Sequence, residues 1–212
     1  MTYTNQEMIF FNSILDKEEI FGVKIEEPFL VDEKYIEDTI ELLKKKDLID
    51  EDNKLVATKG NPALFIAEYK KASKHVILND KRIALCGEKY AVVIERKEKE
   101  YEVYGINRKL LLIKLIEGTV LMTEDALKWE NGESSRFSVK ELSEVMKSDE
   151  YDYTSVIQKY EKKRLKREYI CLWNEETAEL YDGATRKKQR VNGQYFKKLL
   201  AELLEIEMER EE

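Results

Sequence analysis

Apolar residues recur at helical spacing over the first third of the chain. Thr4 and Glu7 have the spacing of a capping box, and the apolar run behind them predicts a helix over residues 4–16. A second helix is predicted from Asp32, because apolar residues return at helical intervals and lysines follow at the C-terminal end. The chain therefore opens with two amphipathic helices.

An acidic turn and a third helix follow. The segment Asp50–Lys54 is predicted to be a solvated turn, because it lacks the glycine and the terminal glutamate of a calcium-binding loop. Either Thr58 or Asn61 is suited to cap the third helix. Its predicted buried side consists of four apolar residues, Leu64, Phe65, Ile66 and Tyr69.

From His75 onwards the pattern changes to short runs of β-branched and aromatic residues between turn-like segments. Four such runs, HVILND, RIALCG, YAVVIER and YEVYGI, predict an antiparallel meander. Asn107 is placed to cap a leucine-rich helix after the meander, and Gly118 is expected to terminate it.

The second half follows the order helix, strands, helix in a looser form. After a polar region, the charged segment Tyr153 to Arg167 is predicted to be a helix. YICLWN, TAELYDG and RKKQRVN are predicted strands, and a terminal helix is expected from Tyr195 to Met208. We therefore predict an α+β fold in which an antiparallel β-sheet is flanked by helices. Residues 1–118 and 119–212 would form two pseudo-symmetric halves, packed as one globular unit.

Charge and composition narrow the class of protein. The chain has 37 basic and 44 acidic groups, largely interleaved, with a formal net charge of -7. Such a field opposes encounter with nucleic acid, so neither basic cluster, Lys162–Arg167 or Arg186–Arg190, is expected to bind it. The first 15 residues lack the basic segment and the small-residue cleavage site typical of a signal peptide, and no apolar run approaches the roughly 20 residues of a membrane span. We expect a cytoplasmic protein without membrane insertion.

No motif for catalysis or metal binding stands out. His75 is the only histidine, which removes paired-histidine metal sites and makes a nucleophile–histidine–acid triad hard to build. The sequence has neither a GxGxxG motif nor a P-loop, and its carboxylates are too numerous to single out an acid–base pair. We expect a protein that is not an enzyme, with no catalytic residues, no metal site and no cofactor, in which His75 has a structural role.

Aromatic residues in the polar middle region are the candidate partner-binding side chains. Trp129, Tyr151 and Tyr153 lie outside an obvious core element. Tyrosine and tryptophan suit protein interfaces because they bury a large area while keeping a polar tip. Ordinary packing of a connecting segment onto the sheet explains the same residues, so both interpretations stay open.

The order of elements resembles that of a known family. The stretch from Asp32 to Gly118, which includes IELLKKKDLIDEDNKLVATKG, the meander and the leucine-rich helix, resembles the first half of EspG-like proteins of type VII (ESX) secretion systems, including EsaE-like accessory proteins. The ending TAELYDGATRKKQRVNGQYFKKLLAELLE is similar to the family's closing strand and C-terminal helix. The resemblance implies a non-enzymatic cytosolic chaperone or adaptor that binds the tip of a helical-hairpin secreted protein before export.

Two other functions fit parts of the sequence. The segment Leu42–Gly60 is also typical of a winged-helix nucleic-acid-binding regulator, although the apolar third helix and the four strands behind it depart from that pattern. An immunity-type protein that binds a toxin would use the same surface as a chaperone. The sequence leaves the partner, the contact face and the oligomeric state open.

Overall fold

The structure, a computed structural model, describes residues 1–16, 18–26, 32–56, 60–117 and 119–207. The strands are β1 (Thr2–Thr4), β2 (Lys74–Leu78), β3 (Lys81–Cys86), β4 (Tyr90–Lys97), β5 (Glu100–Asn107), β6 (Ser135–Arg136), β7 (Tyr153–Glu161), β8 (Arg164–Trp173), β9 (Ala178–Asp182) and β10 (Lys187–Arg190). The helices are α1 (Asn5–Leu15), α2 (Glu33–Lys45), α3 (Pro62–Lys71), α4 (Arg108–Ile116), α5 (Glu124–Lys128), α6 (Val139–Val145) and α7 (Gly193–Leu203), with a 3-10 turn at Val120–Met122.

One antiparallel sheet of ten strands organises the described residues, in the order β1-β5-β4-β3-β2-β7-β8-β9-β10-β6. Strands β2 to β5 form one meander and β7 to β10 form another, and the antiparallel pair β2–β7 joins them. The predicted α+β fold with an antiparallel sheet flanked by helices is confirmed. The strand order runs outward in the same way on both sides of β2–β7, while the equivalence of the two halves and their division at residue 118 stay predictions.

One side of the sheet, here called the α7 face, is covered by α4, α7 and the 3-10 turn. Strand alternation turns every second side chain to this side. The core that results contains residues from both meanders and both helices, including Val76, Ile83, Val93, Leu111, Ile157, Cys171, Leu180, Phe196 and Leu200. This core is shared by both halves of the chain and holds them together.

The opposite side, here called the α3 face, is covered in two separate areas. Over β3, β4 and β5, helices α1, α2 and α3 bury a second core that includes Met8, Phe11, Leu43, Ile66, Tyr69, Val92 and Ile94. Over β8 and β9, α6 packs Leu142 and Val145 on a small cluster formed by Phe137, Leu172 and Tyr181. The central strands between these two areas have no helix of their own among the described residues.

Polar contacts fix the helix ends where the sequence predicts them. The capping box of α1 is present, and Asn61 and Asn107 cap α3 and α4 by accepting from Ala63 N and Lys109 N. The buried carboxylate of Glu7 also lies 2.7 Å and 2.8 Å, by its two oxygens, from the Lys46 ammonium. This pair ties α1 to the end of α2. The predicted cap Thr58 and terminator Gly118 lie outside the described residues.

The end of α7 is held by a charged cluster at the β2–β7 pair. Glu205 accepts from Lys74 on β2 at 2.8 Å and from Lys159 on β7 at 3.0 Å, and it lies 3.7 Å from Arg108 at the start of α4. Burial alone would raise the pKa of Glu205, but the hydrogen bonds from Lys74 and Lys159 outweigh it and lower that pKa. Glu205 therefore links the C-terminal helix to both meanders.

The predicted helix from Tyr153 to Arg167 is wrong. This segment forms β7 and the first part of β8, joined by a two-residue turn at Lys162 and Lys163. The apolar residues of YTSVIQKYE recur at helical spacing, but its β-branched residues suit a strand, and pairing with β2 and β8 overrides the local spacing. The basic residues that suggested a solvated helix face lie in the turn and at the start of β8.

Two smaller predictions also need correction. Helix α7 ends at Leu203, and Met208 lies outside the described residues. Leu64 is 52% exposed, because α3 turns Ala63, Ile66 and Tyr69 towards the sheet and carries Leu64 on its outer side.

The hydropathy of the helices bears on membrane insertion. None of the helices among the described residues combines the length and the apolar composition needed to cross a bilayer.

Candidate partner-binding groove

The three predicted aromatic residues do not share one surface. Tyr153 begins β7 and stacks on Trp173, with ring centroids 5.7 Å apart and planes inclined by 17°. Trp173 and the half-buried Trp129 both pack against the core of the α7 face. Tyr151 instead packs against the small cluster on the α3 face. The structure therefore brings Trp129 and Tyr153 to one face and places Tyr151 on the other, and their role in binding stays a prediction.

Tyr151 closes the small cluster under α6. Burial raises the pKa of Tyr151, and the nearby carboxylates of Glu179 and Glu150 raise it further. The phenol is therefore a neutral hydrogen-bond donor at physiological pH. Such a partly buried ring beside two acids stabilises the cluster, and it offers a partner less free area than Tyr153, which is 48% exposed.

A strip of the α3 face lies between the two helix-covered areas. Three cross-strand pairs of β7 and β8 turn their side chains to it. We call this strip the central groove, and its floor consists of the pairs Val156–Ile170, Gln158–Glu168 and Tyr160–Leu165. Val156, Tyr160 and Leu165 belong to none of the three cores, and Ile170 lies at the border of the small cluster.

The walls of the central groove come from opposite halves of the chain. On one side Phe21, which belongs to the core under α3, lies edge-on to Tyr160 with ring centroids 5.0 Å apart. On the other side stands α6, with Leu142 and Val145 turned inward. Two neighbouring strands give a strip about 10 Å wide. That width matches the diameter of one α-helix, about 10 Å with its side chains.

The middle of the floor is polar and already hydrogen-bonded. The Gln158 amide donates to Glu168 Oε1 at 2.6 Å, and the Tyr160 hydroxyl donates to Gln158 Oε1 at 3.0 Å. These bonds fix the three side chains before any partner arrives. Apolar side chains lie at both ends of this trio, so the floor suits an apolar surface that carries a few polar groups at its centre.

The two ends of the central groove differ in charge. The β7–β8 turn end carries basic residues, Lys162, Lys163, Arg164, Lys166 and Arg167. The other end, around the start of β7 and the β8–β9 turn, carries exposed acidic residues, Asp149, Glu150, Asp152, Glu175 and Glu176. Asn174 in that turn donates to the Glu150 carbonyl oxygen at 2.9 Å, which holds the two acidic segments together. A partner lying along the groove therefore meets a positive field at one end and a negative field at the other.

His75 packs against Phe21, which forms one wall of the central groove. Its ring is buried between Phe21 and Tyr69, at centroid distances of 5.1 Å and 4.9 Å. Burial lowers the pKa of His75. The neutral ring places Nε2 3.2 Å from the Tyr69 carbonyl oxygen, so that nitrogen is assigned as the donor. This buried position has no contact with a nucleophile or a carboxylate among the described residues and serves to hold Phe21.

Sequence reasoning missed the floor of the groove because it assigned residues 153–167 to a helix. The β-branched residues Thr154, Val156 and Ile157 within four positions were the signal that could have found it. Such a run indicates only that the segment suits a strand. Which strands stay free of a covering helix depends on tertiary packing.

Comparison with known proteins identifies one family. A family model described as a domain of unknown function, DUF5081, matches residues 1–212 of the chain. No curated protein matches the chain.

Proposed function

The chain belongs to the DUF5081 family, and we propose that it is a non-enzymatic binding protein that holds a helix of a partner protein in the central groove. The observation that carries this proposal is the strip of β7 and β8 between the two helix-covered areas. Its walls are preformed, the two ends of its floor are apolar, and the polar middle of the floor is already hydrogen-bonded. An amphipathic helix laid in an apolar groove is a recurring mode of peptide recognition.

The size of the floor indicates a reversible complex. Six floor residues in two strands cover a strip about 10 Å wide and about 14 Å long. That area is well below the roughly 800 Å² per partner of a standard stable interface. Contacts from the walls and the charged ends must add to it, and we expect an affinity weak enough for release.

The partner class follows from the resemblance of residues 32–118 and 168–205 to EspG-like proteins. On that basis the partner is a helical-hairpin protein exported by a type VII secretion system, and the binding step takes place in the cytoplasm before export. Helical hairpins with long apolar faces aggregate unless those faces are covered. A rigid sheet with a shallow groove can cover such a face and later release the partner.

Replacement of Val156 by Asp tests the proposed site. A carboxylate at this half-buried floor position would be desolvated by a bound apolar helix, so the complex should be lost or weakened by at least about tenfold. The measurement is co-expression with a helical-hairpin secreted protein, followed by size-exclusion chromatography and a titration of the purified partners. The matched control is Ile113→Asp on α4, on the α7 face, where the side chain is 54% exposed and the complex should persist.

Substitutions of Trp129 and Tyr153 on the α7 face test the alternative binding surface. If the groove is the site, Tyr153→Ala leaves the complex intact. A complex that survives Val156→Asp but loses about 1–2 kcal/mol with Tyr153→Ala or Trp129→Ala would move the interface to the α7 face. The melting temperature of each variant separates loss of binding from loss of folding.

A further inference from the structure

The turn that joins β7 and β8 concentrates positive charge. Its residues 162–167, here called the hairpin arm, contain five cations and one leucine, and all six side chains are exposed. Within the described part of the chain, Arg167 is the one arm residue in an ion pair, with Glu202 on α7. The remaining arm cations therefore have no carboxylate partner among the residues that the structure describes.

The hairpin arm extends past β9 on one edge. The pairing of β9 with β8 begins at Tyr169, so residues 164–167 pair with β7 alone among the described strands. On the other side β2 follows β7 to Glu161, and the Lys162 backbone N–H donates to the Ser73 carbonyl oxygen at 2.6 Å. The cations therefore lie along the open edge of a hairpin that is anchored to the chain beside β2.

The backbone of the arm's turn is unfavourable for the residues that occupy it. Lys162 and Lys163 have φ angles of 48° and 61°, in the left-handed region. Two-residue hairpin turns of this kind favour Asn-Gly, because both central residues need a positive φ. Two consecutive lysines therefore occupy a turn that favours other residues, and neither lysine side chain forms an ion pair within the described residues, which points to a function for those side chains.

From these observations we propose that the hairpin arm binds the acidic C-terminal end of the partner helix and so fixes the direction in which that helix lies in the central groove. This inference rests on the proposed function. The C-terminus of a helix carries the negative end of its dipole, and glutamates in its last turn add to that charge. The acidic residues at the opposite end of the groove suit the positive N-terminus of the same helix.

An acidic protein segment fits the arm better than a nucleic-acid backbone does. Leu165 is 47% exposed in the middle of the arm and lies opposite Tyr160 on the groove floor, so the arm continues the apolar floor. A protein helix offers an apolar contact for this leucine, whereas phosphates do not. The net charge of -7 also opposes a long polyanion more than a short acidic segment.

Two synthetic helices with one apolar stripe test the direction of binding. One carries glutamates in its last turn and the other carries them in its first turn, and both are cross-linked so that their helicity is equal. We expect the peptide with C-terminal glutamates to bind about tenfold more tightly by fluorescence anisotropy at low salt. The difference should shrink as salt rises, because the arm charges are exposed.

A variant separates the charge of the arm from its fold. K162N/K163G installs the residues that the turn geometry favours, so the melting temperature should stay constant or rise. The preference for the peptide with C-terminal glutamates should nevertheless fall by several fold. The matched control, K34Q/K128Q, removes the same charge from exposed positions on α2 and α5 and should keep the preference.

The outcomes distinguish the two proposals. Equal affinity for both peptides, unchanged in K162N/K163G, would overturn the role of the arm while leaving the groove in place. If Val156→Asp changes the affinity for neither peptide, the groove itself is wrong. Binding of neither peptide by the wild type would contradict both proposals. Duplex DNA that binds at the same salt and is lost in K162N/K163G would also overturn this inference and assign the arm to nucleic acid.

Discussion

At the scale of single residues, burial decides what each titratable group does. His75 begins a strand beside Lys74, which gives no hint that its ring lies between Phe21 and Tyr69. Its structural role could be expected because no partner motif surrounds it in sequence. Its position under the wall of the central groove could not, because Phe21 reaches it from a segment outside any helix or strand.

His75 should make the stability of the protein sensitive to mild acid. Its pKa in the folded state is lowered from 6.5, so the unfolded chain takes up a proton at a pH where the folded protein does not. The free energy of unfolding should therefore fall as the pH drops below about 6.5, by at most about 1.4 kcal/mol per pH unit. Urea unfolding between pH 7.5 and 5.5 measures it.

The single histidine makes the control for this experiment clean. His75→Leu removes the only side chain with an ordinary pKa in that range, so the slope between pH 7 and 5.5 should nearly vanish. A wild-type protein whose stability is constant over this range would show that the ring is protonated in the folded state.

At the scale of elements, local sequence signals predict the first meander and the helix caps. The remaining elements depend on packing between distant parts of the chain. Alternating β-branched runs with tight turns between them predict β2 to β5 without any knowledge of neighbours. The β7–β8 hairpin escaped prediction because lysines replace the usual Asn-Gly turn and because the charges mimic a solvated helix. The short strands β1 and β6 pair only along the outer edges of the sheet, and three or fewer residues give no periodic signal.

The start of α7 depends on one glycine. A Cβ atom at Gly193 would lie 1.8 Å from the carbonyl oxygen of Leu121 in the 3-10 turn. Gly193→Ala should therefore force the helix away from that turn and lower the free energy of unfolding by about 1–3 kcal/mol. Chemical denaturation measures the loss, and Gln194→Ala at the next, exposed position of α7 is the matched control and should be nearly neutral. An equal effect of both substitutions would contradict the close approach.

At the scale of the whole molecule, the two halves are joined by the β2–β7 pair, the shared core of the α7 face and the Glu205 cluster. The sequence predicts the first meander and the last three strands of the second but not their junction, because the junction pairs residues that are far apart in the chain. The central groove exists only as a consequence of this junction, since its floor lies in the second half and its first wall in the first.

Glu205→Gln tests the charged part of this junction. The variant leaves Lys159, which is mostly buried, without its carboxylate, so the free energy of unfolding should fall by about 1–2 kcal/mol at pH 7. Because the pKa of Glu205 is lowered from 4.5, its contribution is present above that pH and is lost as the pH falls through the folded-state pKa. The gap between wild type and variant should therefore close in acid.

The neighbouring pair on α7 supplies the control for that test. Glu202 and Arg167 are both well exposed, so Glu202→Gln should cost less than about 1 kcal/mol. If the two glutamine variants are equally stable at pH 7, Glu205 does not hold the junction.

The β2–β7 pair also has a consequence for biosynthesis. Strand β2 pairs with β3 early, but its second partner, β7, is complete only after about 80 more residues have been translated, which takes several seconds at the usual rate of roughly 5–20 residues per second. During that interval the nascent first meander presents a bare row of peptide groups to any other chain nearby. The protein is therefore most exposed to mispairing on the ribosome, before β7 has emerged.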